Sequence, residues 1–215
     1  MNISLQNTGK RFNREWIFRK FNYQFLQGKS YAITGPNGSG KSTLLQIIAG
    51  ATLHSEGEIK YEKQKTINNK QQTENEKRQT SNEQPYQQIS IAAPYLDLIE
   101  EMTANEFLQF HSSFKILTKS FSEILAVVGL EKAANKQIRY FSSGMKQRLK
   151  LAQAFFSNTS VLLLDEPTTN LDEDGIAIYK KLWQENTSNR LVIVSSNDKV
   201  EYEECEEVIG IGEYK

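Results

Sequence analysis

Several features are scarce or missing in this sequence, and each absence excludes a class of protein. Cys205 is the only cysteine, so the chain cannot form an internal disulfide, which suits a reducing cytosol. No apolar run approaches the roughly 18–20 residues of a membrane-spanning helix, and polar residues interrupt the amino-terminal stretch where a secretory signal would lie. Lys plus Arg and Asp plus Glu both number 26, so no net charge indicates nucleic acid or an anionic membrane as a partner. We therefore expect a soluble, cytosolic protein.

The strongest motif of the sequence lies at residues 33–49, which read ITGPNGSGKSTLLQIIA. Within it, residues 35–42 match G-x-x-x-x-G-K-[ST], the pattern of a phosphate-binding loop. Residues 31–33 predict the end of a buried strand before the loop, and residues 44–48 predict a short helix with an apolar stripe after it. A strand, a glycine-rich turn and a helix start form the context that such a loop requires.

The residue types of this loop indicate which ligand it binds. Glycines let the backbone point successive N–H groups into one concavity, which suits anionic oxygens, and the following helix adds the positive end of its dipole. Lys41 would reach the terminal phosphates, and the Ser42 hydroxyl would bind Mg²⁺. The candidate nucleotide-binding residues are Gly35, Pro36, Asn37, Gly38, Ser39, Gly40, Lys41, Ser42 and Thr43. The sequence therefore predicts a nucleoside triphosphate site.

Residues 2–31 alternate in a way that predicts antiparallel strands, with a turn at Gln27 and Gly28. Within them, Phe12 and Trp16 interrupt polar surroundings. An aromatic ring at the edge of a phosphate site can stack on a base, which contributes about 1–3 kcal/mol by analogy with other base stacking. We favour Phe12 for the adenine, whereas packing over a strand edge is an equal alternative for Trp16.

Residues 61–88 are rich in Gln and Asn and contain a single aliphatic residue, Ile67. Such a run cannot bury enough apolar surface to offset its ordering entropy, so we expect a hairpin with a mobile tip. A partner site is the alternative.

Residues 89–93 predict a small buried strand. Helical spacing then predicts a helix over 104–117, with these residues in the core: Phe107, Phe110, Phe114 and Leu117.

Four consecutive aliphatic residues at 161–164 fit a strand buried on both faces of a parallel sheet. Asp165 and Glu166 follow at its carboxyl end, which is the edge where open α/β sheets bind ligands. Asp165 would hold Mg²⁺ through the water shell of the metal, and Glu166 is placed to orient or deprotonate the attacking water. The plainer alternative is that both acids are merely solvated.

Residues 141–148 read FSSGMKQR, and a helix follows them. Ser142 is a competent N-cap for that helix, which by itself would explain the motif.

Three motifs in this order, GPNGSGKST, FSSGMKQR and LLLDEPTTNLD, resemble the nucleotide-binding subunits of ATP-binding-cassette (ABC) transporters. The resemblance covers nearly the whole chain. It implies an α/β P-loop NTPase fold with a mostly parallel core sheet, an antiparallel strand lobe and an inserted helical lobe. We place the nucleotide-binding lobe at about 1–94 and 156–215 and the helical lobe at about 95–155, within a single domain.

In that family two subunits enclose two ATP molecules, and the resemblance implies how residues are shared between them. Ser142, Ser143 and Gly144 would belong to the signature motif that contacts the γ-phosphate held by the partner's Lys41. Asp172 would end the family's D-loop, in the stretch TTNLD.

Three departures from the family pattern concern turnover more than ATP binding. The signature lacks its first glycine and its glutamine, and residues 93–95 read APY where the family has a glutamine. Asn197 stands where the family's switch histidine is expected. It can donate a hydrogen bond to the γ-phosphate but cannot take up a proton.

The resemblance implies an ATP-hydrolysing subunit that forms a homodimer, or pairs with a related subunit, and drives a separate membrane-embedded transporter from the cytoplasmic face. The alternative is a soluble ATP-dependent switch in a protein assembly. A GTPase is excluded because no Asn-Lys-x-Asp motif occurs.

In residues 95–101 (YLDLIEE), we expect Leu96, Leu98 and Ile99 to be partly exposed and to dock a partner helix. The alternative is that they close the core of the helical lobe.

Overall fold

The structure is a computed structural model that describes residues 1–62 and 85–214. Its strands form a three-stranded antiparallel sheet, in the order β2-β1-β4, and a five-stranded parallel sheet, in the order β5-β6-β7-β3-β8. The strands are β1 Asn2–Phe12, β2 Glu15–Phe25, β3 Ser30–Thr34, β4 Glu56–Glu62, β5 Ile89–Ala92, β6 Val161–Asp165, β7 Leu191–Ser195 and β8 Glu207–Gly210. The helices are α1 Lys41–Ile48, α2 Ala104–Ser112, α3 Phe121–Val127, α4 Ser143–Phe156, α5 Glu173–Asn186 and α6 Lys199–Tyr202. The predicted α/β fold is confirmed, whereas the expected hairpin falls mostly on residues 63–84, outside the described residues.

The antiparallel sheet contains the strands predicted within residues 2–31, and β4 pairs with β1 on the side away from β2. Gly57 lies within β4, which begins at Glu56. Gly57 has φ 83°, and an added Cβ atom would lie 2.3 Å from the carbonyl oxygen of Asn7. The glycine therefore permits the close approach of β4 to an irregular part of β1, where the pairing register shifts.

The parallel sheet is covered on both faces, which explains the aliphatic run in its central strands. Residues 161–164 of β6 are fully buried, and β6 pairs in parallel with β5 on one side and β7 on the other. The carboxyl ends of β3, β6 and β7 consequently meet at one edge of the sheet, where the candidate site lies.

The helical region differs from the prediction in its exposed aromatic residues. Helix α2 ends at Ser112, several residues earlier than expected. Phe107 is buried, but Phe110 is 44% exposed and Phe114 is 67% exposed, so the assignment of those two to the core is wrong. Their rings contact each other instead, with centroids 5.1 Å apart. Helices α2, α3 and α4 lie between β5 and β6, while the residue bounds of the lobes stay a prediction.

Within residues 1–62 and 85–214, none of the helices combines the length and the apolar character needed to cross a membrane. Cys205 is half-buried.

Candidate phosphate-binding site

The glycine-rich loop joins β3 to α1, and at Gly40 there is no room for a side chain. Gly40 caps α1 with φ 102°, and an added Cβ atom would lie 2.5 Å from Cγ2 of Ile17. The loop can therefore adopt this conformation without strain only with glycine at this position. Ile17, which the sequence did not single out, lines the cavity beside the loop.

Lys41 lies in the first turn of α1 and is only 5% exposed. Its Nζ donates hydrogen bonds to the main-chain oxygens of Gly35 at 2.8 Å and Pro36 at 3.4 Å. Both partners are neutral carbonyl groups, so the hydrogen bonds of Lys41 place no negative charge against its buried ammonium group. Such a group favours an anionic ligand in the concavity of the loop.

Asp165 ends β6 and is 2% exposed. Its Oδ1 atom is buried without a hydrogen-bond partner among the described residues, and so is the hydroxyl of Ser195. Burial raises the pKa of the Asp165 carboxyl, and the nearby hydroxyls of Ser195 and Ser42 oppose this shift. A buried carboxylate oxygen without a partner is unfavourable, and a bound cation would compensate it. The donor set of Asp165 and Ser42, both oxygen ligands, fits Mg²⁺.

Glu166 follows β6 in a left-handed backbone conformation, with φ 43°. Its main-chain N–H donates to the carbonyl oxygen of Ser195 at 2.9 Å, which fixes the turn away from the sheet. Glu166 lines two adjoining cavities of about 350 and 300 Å³. Since Asn37 lines both as well, the two cavities form one cleft with Glu166 and Asn37 at its middle.

Asn197 meets the phosphate loop although it lies at the far end of the sequence. Its Oδ1 accepts a hydrogen bond from the Gly35 N–H at 3.1 Å, and its Nδ2 donates to Oδ1 of Asn37 at 3.3 Å. The structure therefore brings together the loop, Asp165, Glu166 and Asn197 at one edge of the parallel sheet.

Phe12 and Trp16 have different surroundings. Phe12 is 50% exposed, and the Nζ atom of Lys10 lies 4.7 Å from the centre of its ring. Trp16 instead lies against guanidinium groups, with Arg19 at 4.1 Å and Arg11 at 5.6 Å. These contacts favour strand-edge packing for Trp16. Neither residue is among those that line the two cavities.

The signature residues lie apart from this cleft. Ser142 caps α4 by accepting a hydrogen bond from the Met145 N–H at 3.2 Å, and Ser143 and Gly144 occupy the first turn. Asp172 caps α5 in the same way through the Gly175 N–H at 2.9 Å. None of Ser142, Ser143, Gly144 and Asp172 lines either cavity of this chain.

Tyr95 lies in the segment where the glutamine is missing. The side chains near its hydroxyl include Gln46 on α1 and Asp165. Burial, and then the negative charge of Asp165, raise the pKa of the Tyr95 phenol to about 12. Within the same segment Leu98 is buried, so the expectation of its exposure is wrong, because it packs into the core of the helical region.

Several residues that line the cleft are not among the predicted site residues. They are Thr168, Thr169, Ser196, Asp198 and Glu201. Each follows the carboxyl end of β6 or β7 within a few residues, which is where open α/β sheets bind ligands.

Comparison with known proteins places this geometry among ATP-binding chains. A family model described as ABC transporter matches residues 18–169. The chain is 32% identical over 206 residues to the Uncharacterized ABC transporter ATP-binding protein YybJ of Bacillus subtilis, covering 92% of this chain and 86% of YybJ. It is 29% identical to the Lantibiotic transport ATP-binding protein SrtF of Streptococcus pyogenes, covering 97% of this chain and 85% of SrtF.

Solved structures agree in fold. A putative ABC transporter ATP-binding protein from Pyrococcus furiosus superimposes over 100% of both chains with a TM-score of 0.76 at 18% identity, which supports the fold alone. The ATP-binding cassette MJ0796, described as a dimer in a post-hydrolysis state bound to ADP and Pi, superimposes with a TM-score of 0.75 at 25% identity. That match covers 98% of this chain and 95% of MJ0796.

Proposed function

This chain belongs to the ATP-binding proteins of the ABC transporter family, and from that premise we propose how its residues bind and cleave Mg-ATP. As a member of the family it is an ATPase subunit that energises a separate membrane transporter. A soluble switch in a protein assembly, the alternative left by the sequence, is not favoured, because the relatives include transport and resistance ATP-binding proteins.

The observation that carries the proposal is the placement at one sheet edge of two buried groups. One is the ammonium group of Lys41, which bonds only to neutral carbonyls, and the other is the Asp165 carboxylate, one oxygen of which has no hydrogen-bond partner among the described residues. Lys41 would bind the β- and γ-phosphates together with main-chain N–H groups of residues 37–43. Ser42 and Asp165 would hold Mg²⁺, which when bound neutralises charge on the phosphates.

Glu166 acts as the general base that orients and deprotonates the attacking water. It lines both halves of the cleft, so a water between it and a phosphate in the loop is within its reach. Asn197, already bonded to the loop, donates its amide N–H to the γ-phosphate. Phe12 stacks on the adenine with its exposed ring surface.

The remaining predicted residues act on the ATP of a second subunit. Ser142 and Ser143 are exposed at the start of α4, and the N-terminus of a helix is a natural site for a phosphate. Together with Gly144 and Asp172 they lie outside the cleft of their own chain, which a shared site explains. The partner is a second copy or a related subunit, and the dimeric state of MJ0796 supports such pairing.

The transporter subunit would dock at the cytoplasmic face of the membrane on the segment around Tyr95. In that segment Tyr95 is 40% and Ile99 is 38% exposed, and Leu96 is half-buried. These side chains offer an apolar contact for a helix of the partner.

A mixing experiment tests the shared site. Lys41→Ala removes the phosphate ligand of one subunit, and Ser142→Asp puts a negative charge against the γ-phosphate of the other while keeping the helix cap. Each variant alone is expected to be nearly inactive. Their equimolar mixture should recover about a quarter of the wild-type phosphate release, because half of the dimers are mixed and each holds one intact site. Ser142→Asn, a neutral cap, is the control, and an inactive mixture of proven mixed dimers would contradict the proposal.

The residue at position 197 sets the pH dependence of turnover. Because an amide takes up no proton, wild-type turnover should be slow and vary less than about twofold between about pH 6 and 8. Asn197→His should acquire a titration step centred near pH 6.5, roughly the ordinary pKa of histidine. Phosphate release measured across this range at saturating ATP checks both curves. A histidine-like step in the wild-type curve would be the contrary result.

A further inference from the structure

Glu201 is a buried carboxylate that the roles above leave unassigned. It lies on α6, four residues after Asn197, and is only 4% exposed. Its Oε1 accepts two short hydrogen bonds from Thr168, one from the main-chain N–H and one from the hydroxyl, both at 2.6 Å. Both donors are neutral, and burial raises the pKa of Glu201. A charged group in this setting costs stability, so stability alone does not explain it.

The segment that Glu201 holds has a strained backbone. Thr168 lies midway between Glu166 and Asn170, whose φ values are 43° and 64°. Residues other than glycine adopt this left-handed conformation at a cost, and it persists only where surrounding contacts hold it. The two hydrogen bonds to Glu201 are contacts of that kind, since they fix the residue between the two strained positions.

The same segment is also held by the helix that carries the signature residues. Gln147 of α4 is buried, and its Nε2 donates to the main-chain oxygen of Pro167 at 2.8 Å. A connected path therefore runs from α4 through Pro167 and Thr168 to Glu201. At one end, Ser142 caps α4 and is proposed above to contact the ATP of the partner. At the other end, Asn197 lies just before α6 and is proposed to contact the ATP of its own chain.

We propose that Glu201 is a positioning residue for ATP hydrolysis, which holds Thr168 and thereby sets the main-chain path between Glu166 and Asp172. Glu201 lines the cavity of about 300 Å³ that Glu166 and Asn197 also line, so the segment that it holds lies beside the proposed reacting groups. This inference rests on the proposed roles of Glu166 and of the shared site.

Steady-state hydrolysis and equilibrium ATP binding by the full chain test the proposal. Glu201→Ala should lower kcat at least about tenfold and change the KM for ATP less than about threefold, because the phosphate loop is untouched. Glu201→Gln keeps an oxygen that accepts both hydrogen bonds, so it should retain at least about half of the wild-type kcat. Thr168→Val removes only the hydroxyl bond and should lower kcat about threefold.

Tyr179→Phe is the matched control for a purely structural effect. The Tyr179 hydroxyl donates to the main-chain oxygen of Glu201 at 2.6 Å, so this change loosens the same helix without touching Thr168. It should lower the melting temperature while kcat stays within about twofold of wild type. Glu201→Ala should lower the melting temperature too, because it leaves the two donors of Thr168 without a partner.

Three results would overturn the proposal. The first is a wild-type kcat in Glu201→Ala, and the second is a loss of ATP affinity in that variant as large as its fall in kcat. The third is a fall of kcat in Tyr179→Phe as large as that in Glu201→Ala. Should Glu201→Ala not fold, an unchanged kcat in Thr168→Val overturns it. If Glu166→Gln is inactive while Glu201→Ala works at the full rate, only this inference fails. If Glu166→Gln hydrolyses ATP like wild type, the proposed function fails and this inference with it.

Discussion

Glu166→Gln is expected to lower the rate of ATP hydrolysis at least about a hundredfold while ATP still binds, since a general base contributes about 10²–10⁴-fold. Glutamine keeps the shape and the hydrogen bonds of the side chain but lacks the charge that polarises the attacking water. Glu166 lines both halves of the cleft, so the loss falls on the chemical step and leaves the phosphate contacts of Lys41 unchanged.

Two measurements check this result together. Phosphate release reports turnover, and gel filtration in Mg-ATP reports the dimer, which uncleaved γ-phosphates should hold together through Ser142 and Gly144. Glu173→Gln, the same change at an exposed position on α5, is the matched control and should behave as wild type. The proposed mechanism is wrong if Glu166→Gln hydrolyses at the wild-type rate, or stays monomeric where wild type dimerises.

Lys41→Ala is expected to weaken ATP binding at least about a hundredfold with the fold intact, because truncating a buried hydrogen-bonded charge costs about 2–5 kcal/mol. In the free chain the side chain bonds only to main-chain oxygens of the loop and lines an open cavity, so shortening it removes no contact of the apolar core. A fluorescent ATP analogue measures the affinity at equilibrium, and the melting temperature without nucleotide reports the fold.

Lys181→Ala removes an exposed lysine from α5 and serves as the control, with unchanged affinity expected. Unchanged affinity in Lys41→Ala itself would remove Lys41 from its proposed role. A fall in both affinity and melting temperature would mean that the lysine supports the loop rather than the ligand.

The sequence predicted best those features whose causes lie within a few neighbouring residues. The buried strand β6 follows from four consecutive aliphatic residues, and the helix cap at Ser142 follows from the side chain itself. Prediction failed where burial depends on distant neighbours. Phe110 and Phe114 have the spacing of a core face, yet α2 ends at Ser112 and leaves both rings at the surface.

The sequence by itself determined the phosphate loop, because one run of residues supplies its glycines, its lysine and its hydroxyl. Only the tertiary structure decided what surrounds that loop. Asn197 bonds to Gly35 across 162 residues, and Glu201 holds Thr168 across 33 residues. Such contacts arise because parallel strands bring their carboxyl ends to one sheet edge, and the position of each strand in the sheet depends on packing over the whole chain.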